Sequence, residues 1–165
     1  MEQAIGEIKS QQKRLFNFSK NQLHKTKNDS EMSKSDTLSI EWKNINNNIC
    51  LFFKFHGVFS HETSLKGVEE WMQRFAEKDK LKFIIVWDCI NMNGYEPKAR
   101  IVWQHALKEL QKQIDTIWLI SDSSIIRTGA KIISLATSFE IKPVSKEADI
   151  LKNQSIIFSD KRIIN

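Results

Sequence analysis

Histidine and cysteine are the residue types here that could bind a metal ion or act as a nucleophile. The chain contains His24, His56, His61 and His105, together with Cys50 and Cys89. A zinc site needs ligand pairs about two to five residues apart, and His56 and His61 have no acidic or cysteine third ligand at such spacing. Both cysteines lie in apolar runs typical of buried thiols, and no G-x-S-x-G motif is present. We therefore predict no metal site and assign no catalytic residue.

Glycine spacing and charge argue against two further classes of function. The five glycines are never closer than ten residues apart, whereas phosphate loops and dinucleotide-binding turns need two or three within about eight residues. The net charge of +5 comes from 25 basic and 20 acidic residues, and acidic side chains interrupt nearly every basic cluster. Nucleic-acid-binding surfaces are instead basic and interleaved with stacking aromatic residues. We expect neither a cofactor nor a nucleic-acid partner.

Length and hydropathy predict one soluble domain with an extension. The chain has 165 residues, of which 41% are hydrophobic, which suits one domain of about 150 residues. The longest apolar runs, such as Phe83 to Trp87, are far shorter than the roughly 20 residues that span a bilayer. The first residues carry acids among the bases and no apolar segment typical of a secretory signal. We expect a cytoplasmic protein without a membrane span.

Residues 1–37 form an N-terminal extension, and residues 38–165 form the predicted domain. The extension ends in a polar linker, and its broken apolar stripe predicts a helix of about two dozen residues. Two interpretations of this helix stay open: it packs on its own domain, or it docks on a partner or a second copy of the chain, which would give a homodimer. The stripe consists of Ile5, Ile8, Leu15, Phe16, Phe18 and Leu23.

The pattern of the domain alternates between periods of two and 3.6 residues, which are typical of strands and helices. Predicted helices start after Ser60, at Pro97 and after the Ser121 to Ser124 segment, with a last helical turn over 146–152. This β-β-α-β-α-β-α-β-α order predicts an α/β fold with one mixed sheet. The predicted strands cover residues 39–42, 49–58, 81–89, 114–120 and 141–144.

The segment after the third strand is the first candidate for a binding surface. Residues 91–96 are predicted to form a loop at the carboxyl end of the sheet, where ligands bind in open α/β folds. A purely structural interpretation stays open, in which Asp88 ends the strand, Gly94 turns the chain and Glu96 caps the helix. The candidate residues are Asp88, Asn91, Asn93, Gly94, Tyr95, Glu96 and Pro97.

Two further sets of residues offer alternatives. Trp87, Trp103 and Trp118 lie on separate core-facing elements and are either core residues or the walls of an apolar pocket. Hydroxyl groups at the start of the third helix are either caps or a phosphorylation site, although Asp122 would repel a phosphate there. These hydroxyl groups belong to Ser121, Ser123 and Ser124.

The stretch from Leu51 to Val144 resembles the STAS domain of bacterial anti-sigma factor antagonists and its STAS-like relatives of unassigned function. The resemblance lies in LFFKFHGVFSHET, FIIVWDCINMNGYEPKARIVWQHAL and IDTIWLISDSSIIRTGAKII. It implies a mixed sheet of four or five strands with helices mainly on one side. It also implies a protein that binds partner proteins and is not an enzyme.

The antagonists carry a serine or threonine after an Asp at the start of the second helix, and an anti-sigma kinase phosphorylates it. The matching positions here are Glu96, Pro97 and Lys98, which have no hydroxyl group. We therefore expect a non-enzymatic, regulatory, STAS-like interaction module that lacks the usual phosphoacceptor serine and has a protein partner. The alternative is a carrier or sensor of a small apolar, lipid-like ligand held between sheet and helices.

Overall fold

Five strands and three connecting helices form the described part of the domain. The computed structural model describes residues 37–45, 48–78, 82–137, 139–150 and 152. The predicted N-terminal helix therefore lies outside the described residues. The strands are β1 Leu38–Ile45, β2 Asn48–Phe59, β3 Phe83–Tyr95, β4 Ile114–Ile120 and β5 Ile141–Val144. The helices are α1 His61–Ala76, α2 Pro97–Leu110 and α3 Ser124–Ala136, and residues 147–150 form a further helical turn.

The strands form one mixed sheet in the order β1-β2-β3-β4-β5. β1 pairs with β2 antiparallel, and the three remaining pairs are parallel. The buried residues of α1, α2 and α3 belong to one cluster with the side chains of a single sheet face. The predicted α/β class, the number of strands and the placement of these helices on one side of the sheet are confirmed.

The opposite face of the sheet is apolar as well. Its cluster includes Ile150 from the last helical turn. Apolar residues on both faces explain why β2, β3 and β4 read as nearly continuous hydrophobic runs. The other buried members are Ile45, Cys50, Phe52, Val86, Trp118, Ile120 and Val144.

β3 is longer than the sequence predicts, because it continues past Cys89 to Tyr95. The predicted loop over 91–96 is wrong for all but its last residue. β2 pairs with this segment in parallel as far as Phe59 and Tyr95, with register shifts after Lys54 and after Gly57. This pairing gives hydrogen bonds to a polar, glycine-containing segment whose composition alone indicates a turn.

The ends of β2 and β3 extend beyond their neighbours in the sheet. β4 ends opposite Asp88, where Ile120 is its last paired residue. On the other side, β1 starts opposite Phe55. Residues 56–59 and 89–95 therefore form a two-stranded extension, which we call the projecting ribbon. Gly57 within it has a φ of +60°, a conformation that favours glycine.

Candidate functional site

The projecting ribbon leads directly into the first turns of α1 and α2. Ser60 is the N-cap of α1, and its hydroxyl oxygen accepts a hydrogen bond from the backbone N–H of Thr63 at 3.1 Å. Glu96 is the N-cap residue of α2 but makes no side-chain hydrogen bond within that helix. Its Oε2 instead accepts a hydrogen bond of 2.7 Å from the backbone N–H of His61. Glu96 therefore caps α1 and ties the two helix starts together.

The predicted binding residues come together in the ribbon and at the start of α2. Asp88 does not end the strand: its Oδ1 accepts a hydrogen bond from the backbone N–H of Ile90 at 3.2 Å, beside the first register shift. Gly94 lies within β3 and does not form a turn. Tyr95 is half-buried, whereas Asn91, Asn93, Glu96 and Pro97 are exposed.

Two apolar side chains of the ribbon are exposed. Ile90 is 49% exposed and Val58 is 53% exposed. From Cys89 onward β3 has no pairing with β4, so one edge of the strand faces away from the described sheet. Edge strands with exposed apolar side chains are a common docking feature for other chains.

An apolar cavity of about 50 Å³ lies beside the ribbon, between the sheet and the start of α2 and α3. The ring centroids of Trp87 and Trp103, which both line it, are 6.5 Å apart. Trp118 belongs to the opposite face of the sheet, so the structure does not bring the three tryptophans together. The cavity is smaller than the roughly 300 Å³ of a typical small-molecule site. Further lining residues are Phe55, Phe59, Met92, Leu119, Ile126, Ala130 and Ile133.

Tyr95 closes one side of this cavity by packing against α3. A Cβ atom placed on Gly129 would lie 2.6 Å from the Tyr95 hydroxyl oxygen and 2.8 Å from two ring carbons. No side chain fits between this ring and the helix. Gly129 therefore permits the close approach of Tyr95 to α3.

Arg100 and Cys89 are the other polar residues at the cavity. The Nε atom of Arg100 is buried and has no hydrogen-bond partner in the described structure. Burial raises the pKa of the Cys89 thiol well above its ordinary value, and the charge of Asp88 raises it further. The thiol is therefore neutral at physiological pH and a poor nucleophile.

The three candidate serines occupy different environments. Ser121 is fully buried, and its hydroxyl oxygen accepts a hydrogen bond from the backbone N–H of Ser123 at 3.2 Å. Ser123 is the N-cap of α3 and accepts from the N–H of Ile126. Ser124 is exposed. The capping role predicted for this segment is confirmed for Ser123.

Within the described ranges, no group of three or more histidine, cysteine, aspartate or glutamate side chains is arranged to hold a metal ion. His56 lies in the ribbon opposite Asn91, and His61 is the first residue of α1. Among the helices of these same ranges, none has both the length and the hydrophobicity that a bilayer-spanning helix requires.

Of the cavity lining, Trp87, Trp103 and Tyr95 were named from the sequence as candidate site residues, and Arg100 and Gly129 are two of those that sequence reasoning missed. Each leaves a signal in the sequence. Gly129 lies inside a helical pattern, where glycine costs about 1 kcal/mol relative to alanine and indicates a packing constraint. Arg100 is a cation that directly follows Ala99, the first residue of the buried stripe of α2. Neither signal identifies which other residues line the cavity with Arg100 and Gly129, because those neighbours depend on the register of β3.

The fold is similar to a solved bacterial protein structure. No family model and no curated protein matches the chain. The crystal structure of an uncharacterized protein from the DUF3478 family with a SpoIIAA-like fold, from Shewanella loihica PV-4, superposes with a TM-score of 0.61. The match covers 74% of this chain and 98% of that chain at 15% identity. At this identity the similarity shows the fold alone, and it confirms the STAS-like fold.

Proposed function

We propose that the chain is a non-enzymatic, STAS-like regulatory module that binds a partner protein through the projecting ribbon and the start of α2. The observation that carries this proposal is the ribbon itself, which extends beyond β1 and β4 and exposes Ile90 and Val58. Asn91, Asn93 and Glu96, which are polar and exposed, belong to the same ribbon and helix start. An apolar centre with a polar rim is typical of protein interfaces.

The fixed position of the ribbon also supports a binding role. The hydrogen bond from His61 to Glu96 and the bond from the Glu96 N–H to the Phe59 carbonyl oxygen, at 3.0 Å, hold both strand ends. A surface that is ordered before binding loses less conformational entropy when a partner docks. The neutral, buried thiol of Cys89 favours binding over nucleophilic catalysis at this site.

Affinity capture with surface variants tests this proposal. Ile90→Lys and Glu96→Lys each place a cation on the surface, and we expect each to reduce partner recovery at least tenfold. Leu135→Lys is the matched control, because Leu135 is 81% exposed in the last turn of α3, far along the chain from the ribbon. Equal recovery by all three folded variants and the unmodified chain would exclude the ribbon as the partner surface. Tyr95→Ala tests the contribution of the adjacent ring.

The second candidate function is that of a carrier or sensor of a small apolar ligand. The cavity between Tyr95, Trp87 and Trp103 is the observation that favours it. Native mass spectrometry of protein purified from its own host tests this function, because a bound ligand adds a defined mass. Recovery of the bare chain mass alone, with no apolar compound in an organic extract, would contradict it.

A further inference from the structure

We propose that the cavity binds the hydrocarbon tail of a single-chain carboxylate, with Arg100 as its counter-ion and Tyr95 as the gate. This inference rests on the second candidate function, because it names the ligand class of the same cavity. Three features carry it: the apolar walls, the unpartnered guanidinium nitrogen and the ring packed on Gly129.

The walls of the cavity suit a hydrocarbon tail. Most of its lining residues are apolar, and several of them are aromatic. Cys89 adds no charge, because its thiol stays protonated. Each methylene group that moves from water to such walls raises the affinity about fourfold, so the length of the tail has a measurable effect on binding.

Arg100 supplies the position for an anionic head group. It is the only lysine or arginine among the described residues that line the cavity, and no ion pair joins it to a described carboxylate. Glu96 lies four residues earlier on the same helix, where pairing is common, but its carboxylate binds the N–H of His61. A buried donor without an acceptor is costly. A ligand carboxylate would satisfy this donor, since guanidinium groups bind carboxylates with two parallel hydrogen bonds.

A single cation favours a monoanion. A phosphate head group carries up to two charges and is usually met by more than one cation or by several backbone donors. Pro97 removes one of the backbone donors at the start of α2, and Glu96 is negatively charged beside it. The chemistry at this position therefore fits a carboxylate better than a phosphate.

Tyr95 limits the size of the cavity. About 50 Å³ holds only a few methylene groups, so a longer tail requires the ring to leave Gly129. Tyr95 also lies at the end of the projecting ribbon. Ligand entry would therefore displace a residue that belongs to the proposed partner surface.

Calorimetric titration with octanoate and with octanol tests the proposal, because the two probes share a tail and differ in charge. At pH 7 we expect Arg100→Gln to weaken octanoate binding at least tenfold and to leave octanol binding unchanged. Lys98→Gln is the matched control, since it removes the same charge from an exposed position of α2 that does not line the cavity. It should leave both affinities unchanged.

Tyr95→Ala tests the gate, and Tyr95→Phe controls for the loss of the hydroxyl alone. We expect tighter binding of both probes by Tyr95→Ala and a much smaller change by Tyr95→Phe, which keeps the ring. Equal octanoate affinity of Arg100→Gln and the unmodified chain, or an equal loss for octanol, would overturn the role of Arg100. Absence of binding of both probes to the unmodified chain and to folded Tyr95→Ala would overturn the ligand-binding function itself.

Discussion

The carboxylate of Glu96 accepts a hydrogen bond of 2.7 Å from the backbone N–H of His61, 35 residues earlier in the chain. Glu96, the N-cap residue of α2, thus caps α1. The two helices pack against each other along the same sheet face, and this bond fixes their first turns. This tertiary contact adds to the local cap that Ser60 provides, and together they satisfy two of the free N–H groups at the start of α1.

Removing this bond tests its contribution to stability. We expect Glu96→Ala to lower the free energy of unfolding by about 0.5–1.5 kcal/mol, the usual value of a capping interaction. Glu96→Gln retains an acceptor oxygen and should lose less. Urea denaturation measures both values. A larger loss for Glu96→Gln than for Glu96→Ala would contradict capping by the carboxylate oxygen.

The contact between Tyr95 and Gly129 predicts a strongly coupled pair. Gly129→Ala alone should destabilise the protein by about 1–3 kcal/mol, because the added Cβ would meet the Tyr95 ring at 2.6–2.8 Å. In the Tyr95→Ala background the same change should stabilise α3 by up to about 1 kcal/mol, since alanine favours helix over glycine. A double-mutant cycle measures this reversal of sign. Additive effects would show that the ring is free to move away without cost.

The Cys89 thiol predicts a pH dependence of stability. Burial and the charge of Asp88 raise its pKa in the folded state, so the unfolded chain loses this proton first as the pH rises above about 8.5. Stability is fully retained below that pH and falls above it by up to about 1.4 kcal/mol per pH unit. Denaturation of the unmodified chain and Cys89→Ala between pH 8 and 10 measures the difference. Parallel slopes for the two proteins would contradict a raised pKa.

Tryptophan fluorescence tests which side of the sheet the ligand reaches. Trp87 and Trp103 line the cavity, whereas Trp118 lies in the cluster on the opposite face. We expect Trp87→Phe and Trp103→Phe each to remove a large part of the fluorescence change caused by octanoate. Trp118→Phe should retain nearly all of it. A loss of signal in Trp118→Phe alone would place the ligand on the other face.

Self-association through the N-terminal helix stays a prediction, because residues 1–36 lie outside the described structure. An isolated helix of about two dozen residues with a broken apolar stripe is marginal in water and needs burial to persist. If a second copy provides that burial, deletion of residues 1–36 should lower the mass measured by light scattering from that of a full-length dimer to that of a shortened monomer. The shortened domain should keep its cooperative melting transition. A monomeric full-length chain would contradict the dimer.

Strongly apolar segments bounded by polar residues were the most predictable parts of the fold. The predicted bounds of β4 and β5, residues 114–120 and 141–144, agree with the structure. Ser60 and Pro97 mark the starts of α1 and α2 as expected, because capping and the fixed φ of proline act locally. Local signals such as a capping serine or a proline therefore predict where helices start.

The candidate site was less predictable, because it depends on the pairing between distant segments. Residues 91–95 look like a loop by composition, yet β2 pairs with them. The face occupied by Trp118 follows from the alternation within β4, since Ile117 and Leu119 point to the helices. When every residue of a strand is apolar, the sequence does not show which alternate side chains face the helices and which face the opposite side of the sheet. The candidate residues lie in a strand and at a helix start and not in the predicted loop, and their role in binding stays a prediction.

The sheet order has a consequence for how the chain acquires its structure. Each strand pairs with the strand that precedes it in the sequence, so each of the three parallel pairs needs only a crossover through one α-helix, and no pairing joins strands that are far apart in the sequence. During synthesis, β1 and β2 can pair first, and each later strand can join the parallel edge left by the last one. The newest strand is always the growing edge, and β5, the last of the described strands to be made, forms one edge of the described sheet, with β1 at the other.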